Sequence, residues 1–390
     1  MRTAPLLLAA CLLGCSSSDD VAPASSADAG ADVGPTVQVG CTGTSLLPLP
    51  ADFGADGPWP VGARTVTLDG LTTEIWYPAA VGSDAGKSRA RYDIRKHLPD
   101  AYQANITDAN NPWIDCACTR DLPLDEAHGP YPMVVFIHGT AAFREQSLPQ
   151  MTHWASRGFI VVAADHPGIQ LHDLLSLLIG ATDGGTPPKV DQAGDVRKLL
   201  AALAAPAGDA AFLAGHLDAA RLAVSGHSAG GGATSDFGDV ATVLMPMAAG
   251  GVTAGAKLVS TLVLGAASDG IVPPKSTHDG YASSPAKKRL VTLANAGHLA
   301  FSNICTIGAA EGGIVAVAQR AGVPVPSSLS SLASDGCGAT QLAPADGWAV
   351  IDAVTSAALE ETLFCSPTAA AELAKTKSRF ADVAEYAEEL

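Results

Sequence analysis

With 390 residues, 47% of them hydrophobic and 16% charged, the chain carries enough apolar material for one large domain or two of ordinary size, and wholesale disorder is excluded. The 23 basic residues are outnumbered by 39 acidic ones, a formal charge of -16, which speaks against phosphate backbones and anionic lipid as partners; no nucleic acid is expected. The eight cysteines are too sparse and irregular for a zinc ribbon or a small knotted scaffold, so their meaning depends on the compartment.

The N-terminus addresses that. Met1, Arg2 and Thr3 precede an apolar run over residues 4–13, then Gly14, Cys15 and a polar stretch. Ten apolar residues are too few to cross a hydrocarbon core of about 30 Å, and a basic residue ahead of a short apolar run is the pattern of an export signal, here residues 1–14. Leu12-Leu13-Gly14-Cys15 resembles the bacterial lipoprotein box, which implies cleavage before Cys15 and lipid attachment to its thiol. Ser16 stands where that resemblance would place an inner-membrane retention aspartate, so an outer-membrane or periplasmic address is expected, with plain secretion as the alternative. A membrane is then met only through the lipid. Residues 15–44 are mostly Ser, Asp, Ala, Gly and Pro and read as a flexible tether.

Export discards Cys11 and leaves Cys41, Cys116, Cys118, Cys305, Cys337 and Cys365 in an oxidising compartment, enough for up to three disulfides of open connectivity. A metal at Cys116-Ala117-Cys118 is the sharper alternative, but no C-x-x-C and no nearby His pair supports it. No cofactor is expected.

No repeat and no long linker interrupts residues 45–390, which read as one catalytic domain. Residues 64–69 and 72–77 are β-rich runs flanking Asp69-Gly70, a hairpin signal. Residues 133–137, 159–164, 221–225, 261–265 and 290–294 are near-continuous apolar runs, as expected of strands buried on both faces of a parallel sheet. Helix-compatible stretches lie between them at residues 147–156 and 190–203, the latter with Val196, Leu199, Leu200 and Leu203 at three- and four-residue spacing. The pattern predicts an α/β fold with a mixed, mostly parallel sheet and helices on both faces.

Gly226-His227-Ser228-Ala229-Gly230 follows the strand at 221–225, and more small residues follow it. A G-x-S-x-G pattern is weak alone. After a buried strand it predicts a sharp strand-to-helix turn with Ser228 exposed at the sheet edge and the Ala229 N–H free. A serine needs a base, and the base an orienting carboxylate, each on a loop leaving a later strand. Asp269 and His298 stand just past the strands at 261–265 and 290–294. His278 and Asp279 lie deeper in their segment, and Asp236 and Asp239 follow the turn too closely. The loop after residues 133–137, His138-Gly139-Thr140-Ala141, is where a second oxyanion donor belongs: the Thr140 N–H, with Ala141 as the alternative. His138 reads as a buried polar residue bracing the loop, and His227 as a packing residue. Residues 169–181 form an apolar run that either caps the site or packs as an ordinary helix.

Together these segments, from residue 73 to residue 303, resemble the α/β-hydrolase superfamily, and within it the branch of platelet-activating-factor acetylhydrolases, predicted dienelactone hydrolases and cutinase-like polyester hydrolases. The resemblance implies a serine esterase acting through an acyl-enzyme on a small-molecule ester: Ser228 as nucleophile, Asp269 as acid, His298 as base, and the Thr140 and Ala229 N–H groups as oxyanion hole. Polyester or lipid hydrolysis is the runner-up, because Gly139-Thr140 stands where the polyester hydrolases commonly carry an aromatic residue. A non-catalytic surface lipoprotein that keeps the fold is the alternative of another class. A bridge at Cys305 would stiffen the loop carrying the base.

Overall fold

The computed structural model describes residues 44–180, 188–285 and 287–390. The lipobox Cys15, the export signal, most of the tether, Cys41 and Ala181 lie outside them. No helix among the described residues is long and apolar enough to cross a membrane.

The chain begins with the predicted hairpin, β1 (Val61–Leu68) and β2 (Leu71–Pro78). Asp69 and Gly70 both have positive φ, 47° and 82°, as a two-residue turn matched to strand twist requires. Short strands β3 (Arg91–Tyr92) and β4 (Ile114–Asp115) pair with each other, and β5 (Thr119–Arg120) pairs with β1. Then come β6 (Tyr131–Ile137), β7 (Ile160–Ala164), β8 (Leu217–His227), β9 (Val243–Met247), β10 (Ser260–Ala266), β11 (Lys288–Leu293) and β12 (Val383–Glu389).

Ten strands form one sheet in the order β12-β11-β10-β9-β8-β6-β7-β2-β1-β5. Strands β6 to β11 run parallel to one another, while β2 and β12 are antiparallel to β7 and β11. The sheet is therefore mixed, as expected. Each apolar run feeds two cores by the two-residue period of a strand: Val134 and Phe136 face one side, Met133, Val135 and Ile137 the other. On one side the helices Leu148–Ser156 and Pro344–Leu363 cover the sheet, and on the other Gln192–Ala204 docks Val196, Leu199 and Leu203. Because the central strands are parallel, the chain leaves β6, β8, β10 and β11 at one common edge, which is where His138, Ser228, Asp269 and His298 fall.

Five strands have no counterpart in the sequence reading, the two-residue β3, β4 and β5 and the longer β9 and β12. β9 (Val-Leu-Met-Pro-Met) contains Pro246, which argues against a central strand because it lacks an N–H; it is nonetheless paired opposite Gly226. β12 is acidic, and its charges are answered by β11 across the edge: Lys288 meets Glu389 at 3.2 Å and Arg289 meets Glu388 at 3.3 Å.

Candidate active site

The turn after β8 is built by main chain pressing on main chain. A Cβ on Gly226 would lie 2.4 Å from the Gly230 carbonyl oxygen, and one on Gly230 only 2.1 Å from the Ile137 carbonyl oxygen. Only glycine fits at these two positions. Between them Ser228 is held at φ 58°, ψ -119°, a conformation that costs a non-glycine residue on the order of 1–3 kcal/mol. Its N–H donates to the Met247 carbonyl at 2.9 Å, and the short helix Ala229–Ala233 starts at the next residue.

Asp269 and His298 meet as their positions after β10 and β11 predict. His298 Nδ1 donates to Asp269 Oδ2 at 2.9 Å, and the other oxygen, Oδ1, accepts from the Ile271 and Val272 N–H groups at 2.9 and 2.7 Å. Both side chains are buried. With its proton on Nδ1, the imidazole keeps a lone pair on Nε2, which is buried and has no hydrogen-bond partner among the described residues. His298 and Ser228 line the same chamber. The rival groups lie elsewhere: His278 and Asp279 sit on the helix Pro274–Ser283 and pair with Glu385 and Lys275, and Asp236 and Asp239 are exposed.

In the loop after β6 the Ala141 N–H donates to the Ile169 carbonyl at 2.9 Å, which removes it as an oxyanion donor. The Thr140 and Ala229 N–H groups have no such acceptor among the described residues. Gly139 brings this loop against the turn, for a Cβ there would lie 3.1 Å from the Ser228 Cβ.

A hydrogen-bonded relay ties the three loops together. The Gly139 N–H donates to Gln146 Oε1 at 2.7 Å, Gln146 Nε2 donates to His227 Nδ1 at 2.6 Å, and His227 Nε2 donates to the His298 carbonyl at 2.9 Å. This fixes the tautomer of His227, because Nδ1 must accept. Burial, reinforced by the neighbouring His298 imidazole, pushes its pKa down to about 3, so the ring is neutral. His138 is fixed in the same way. It donates from Nδ1 to the Gly139 carbonyl at 2.8 Å and accepts the His166 N–H on Nε2 at 3.0 Å, with burial and then His166 lowering it to about 3. Both histidines brace loops, as expected of His138; His227, read from the sequence as a packing residue, is also a hydrogen-bonded link between loops.

Beyond Ala142 the same loop is anchored by a buried charge cluster. Arg144 pairs with Asp165, which also accepts the Arg144 N–H at 2.9 Å, and with Glu145 at 3.0 Å. Glu145 in turn meets His97 Nε2 at 3.0 Å, and the His97 ring stacks on Phe143 at 4.3 Å. Three carboxylates, counting Glu74, are thus shared among Arg144, Arg120 and His97. Burial raises the Glu74 carboxyl despite Arg120. Breaking one member strands the others in low dielectric, so the loop has few alternatives.

The chamber around Ser228 and His298 is apolar. Its walls include Leu98 and Ile106, Leu171 and Leu175 from the helix Leu171–Leu178, and Val317, Val323 and Leu329 from the segment beyond His298. Among the described residues no Asp, Glu, Lys or Arg lines it. The run after Ile169 therefore does wall the site, jointly with residues 314–333. That later segment is closed by the disulfide Cys305–Cys337. Cys116 and Cys118 bond to each other, which spends the thiols considered for a metal, and Cys365 is disulfide-bonded as well. Among the described residues no group of three or more His, Cys, Asp or Glu is placed to hold a metal ion.

Comparison with known proteins places this geometry. A solved ferulic acid esterase from Streptomyces cinnamoneus is similar over 80% of this chain and 93% of its own, with a TM-score of 0.56 and 18% sequence identity. The chain has the α/β-hydrolase fold. A family model described as chlorophyllase matches residues 122–239, a stretch of the hydrolase fold that holds the loop after β6 and the Ser228 turn and stops short of Asp269 and His298. No curated protein matches.

Within the hydrolase fold, sequence reasoning missed Gln146, the charge cluster and the walls supplied by residues 314–333. Gln146 stands among residues that read as the approach to a helix, and only its buried partners distinguish it. The wall residues are apolar positions on short helices, Ile314–Arg320 and Ser327–Leu332, too short for a periodic signal.

Proposed function

We propose that the chain is a carboxylic ester hydrolase that works through an acyl-enzyme, with Ser228 as nucleophile, His298 as general base and Asp269 as the carboxylate that orients it. The observation that carries this reading is the Asp269–His298 hydrogen bond of 2.9 Å together with a serine in a strained turn, Ser228 and His298 opening on one chamber. His298 Nε2 takes the Ser228 proton as Oγ attacks the ester carbonyl, and the Thr140 and Ala229 N–H groups receive the oxyanion. The tetrahedral adduct collapses, His298 passes the proton to the departing alkoxide, and a water activated by the same nitrogen releases the acid. The esterase among the structural relatives and the chlorophyllase match support an ester over an amide.

The chamber narrows the substrate to an ester whose buried group is apolar and uncharged, because a charge placed there would lose its hydration with no partner to replace it. Export and attachment through a lipid on Cys15 complete the reading, supported by the apolar run and the Leu12-Leu13-Gly14-Cys15 box. A fluorophosphonate probe should label the wild type and fail on Ser228→Ala; equal labelling of the two sinks the assignment. Palmitate labelling of the full chain, lost in Cys15→Ser, tests the anchor.

A further inference from the structure

Acid and base arrive on separate loops, after β10 and β11. Main-chain bonds hold the loops together near the sheet, from the Ala267 N–H to the Leu293 carbonyl and from the Ser268 N–H to the Ala296 carbonyl, both 2.9 Å. Further out, a residue distant in sequence joins them. The Asp335 carboxylate accepts the Gly270 N–H on Oδ2 at 3.2 Å and the His298 N–H on Oδ1, while its own carbonyl accepts the Leu299 N–H at 2.9 Å. Gly270 is the residue after Asp269, so one carboxylate holds the backbone of the base and the neighbour of the acid.

The fit around it is close on both sides. A Cβ on Gly270 would lie 2.5 Å from Asp335 Oδ2, and one on Gly297 would lie 2.6 Å from Oδ1 and 2.5 Å from the Gly336 nitrogen. Each loop thus presents glycine where the carboxylate enters. Asp335 is carried to this place by the segment that the Cys305–Cys337 disulfide closes two residues further on.

We infer that Asp335 is a positioning residue for the hydrolytic reaction, a double acceptor that sets the main chain of His298 against that of the Asp269 loop. It rests on the reading of Ser228, Asp269 and His298 given above and touches neither substrate nor reacting atoms; Leu332 and Ala333, not Asp335, line the chamber. A carboxylate suits the role because both of its oxygens only accept, whereas an amide turns an NH2 group on one of the two N–H donors.

That difference makes Asp335→Asn the test, since it preserves shape and removes one acceptor. On p-nitrophenyl butyrate its kcat should fall about 5- to 50-fold with KM held within about twofold, as misplacement of a catalytic group predicts. Gly270→Ala should do the same from the opposite side by displacing Oδ2. Ser334→Ala, an exposed side chain on the same segment, should keep the wild-type kcat. Wild-type kcat in Asp335→Asn, or in Gly270→Ala should Asp335→Asn not fold, overturns the inference, because a space-filling role tolerates the isostere. If wild type and Ser228→Ala hydrolyse the ester equally, the functional reading itself fails; if they differ and Asp335→Asn matches the wild type, this inference alone fails.

Discussion

His227 Nε2 donates to the main-chain carbonyl of His298 across 2.9 Å, so the residue beside the proposed nucleophile holds the backbone of the proposed base. The opposite ring nitrogen is occupied by Gln146, which also holds Gly139 next to Thr140, the proposed oxyanion donor. One buried amide therefore links the oxyanion loop to the other two. Gln146→Leu would leave the Gly139 N–H and His227 Nδ1 buried without partners, at about 1–3 kcal/mol each. Urea denaturation should show that loss, and kcat should drop by roughly tenfold. Wild-type stability in this variant would refute the relay.

The two neutral histidines set an acid limit. Their folded pKa values lie near 3 against 6.5 for the free side chain, so between those values the unfolded chain binds protons that the folded chain refuses. Stability should fall as pH falls through this window, by up to about 1.4 kcal/mol per pH unit for each histidine. Urea midpoints from about pH 7.5 to about pH 4.5 will read the slope, which should be shallower in His227→Asn. An identical slope in the variant would assign the acid limit to other groups.

Chain length should be legible in kinetics. Each methylene moved into the chamber contributes about 0.8 kcal/mol, so kcat/KM for p-nitrophenyl esters should rise roughly fourfold per methylene from acetate until the chamber is filled. Ala318→Phe, which projects into this space, should cut octanoate hydrolysis at least about tenfold more than acetate hydrolysis. A flat profile in the wild type would show that the apolar group binds elsewhere.

The Cys305–Cys337 bridge spans 32 residues of sequence and closes the segment that carries both the chamber wall and Asp335. Replacing both cysteines by serine should cost up to about 3–4 kcal/mol through loop-closure entropy. The loss of kcat should parallel that of Asp335→Asn, and p-nitrophenyl acetate is the substrate to use because it needs little of the wall. Full acetate turnover in the double variant would separate the bridge from the alignment of acid and base.

The parts legible in the sequence are those with a local cause. Strands β6, β7, β8, β10 and β11 announce themselves as apolar runs because both faces are covered, and chain order singles out Ser228, Asp269 and His298 as the proposed triad once the glycine turn is seen. What escaped has either a local signal that misleads or partners that only folding brings together. Pro246 hides β9, the acidic residues of β12 make sense only beside Lys288 and Arg289, and Gln146 and Asp335 are unremarkable polar residues until folding brings His227, Gly139 and Gly270 to them. The helix Pro344–Leu363 is buried over most of its surface, so it lacks the one-sided stripe that marks an amphipathic helix.

Gly230 lies so close to the Ile137 carbonyl that even a methyl group is excluded between the serine turn and strand β6. The span from Ser228 to the loop after β6 is consequently a ruler made of backbone, which drift in side chains leaves unchanged. One side of the chamber wall is the reverse, apolar side chains on the segment that the Cys305–Cys337 disulfide closes. Substitutions among residues 314–333 would thus reshape one side of the chamber while the backbone spacing between Ser228 and β6 stays where it is.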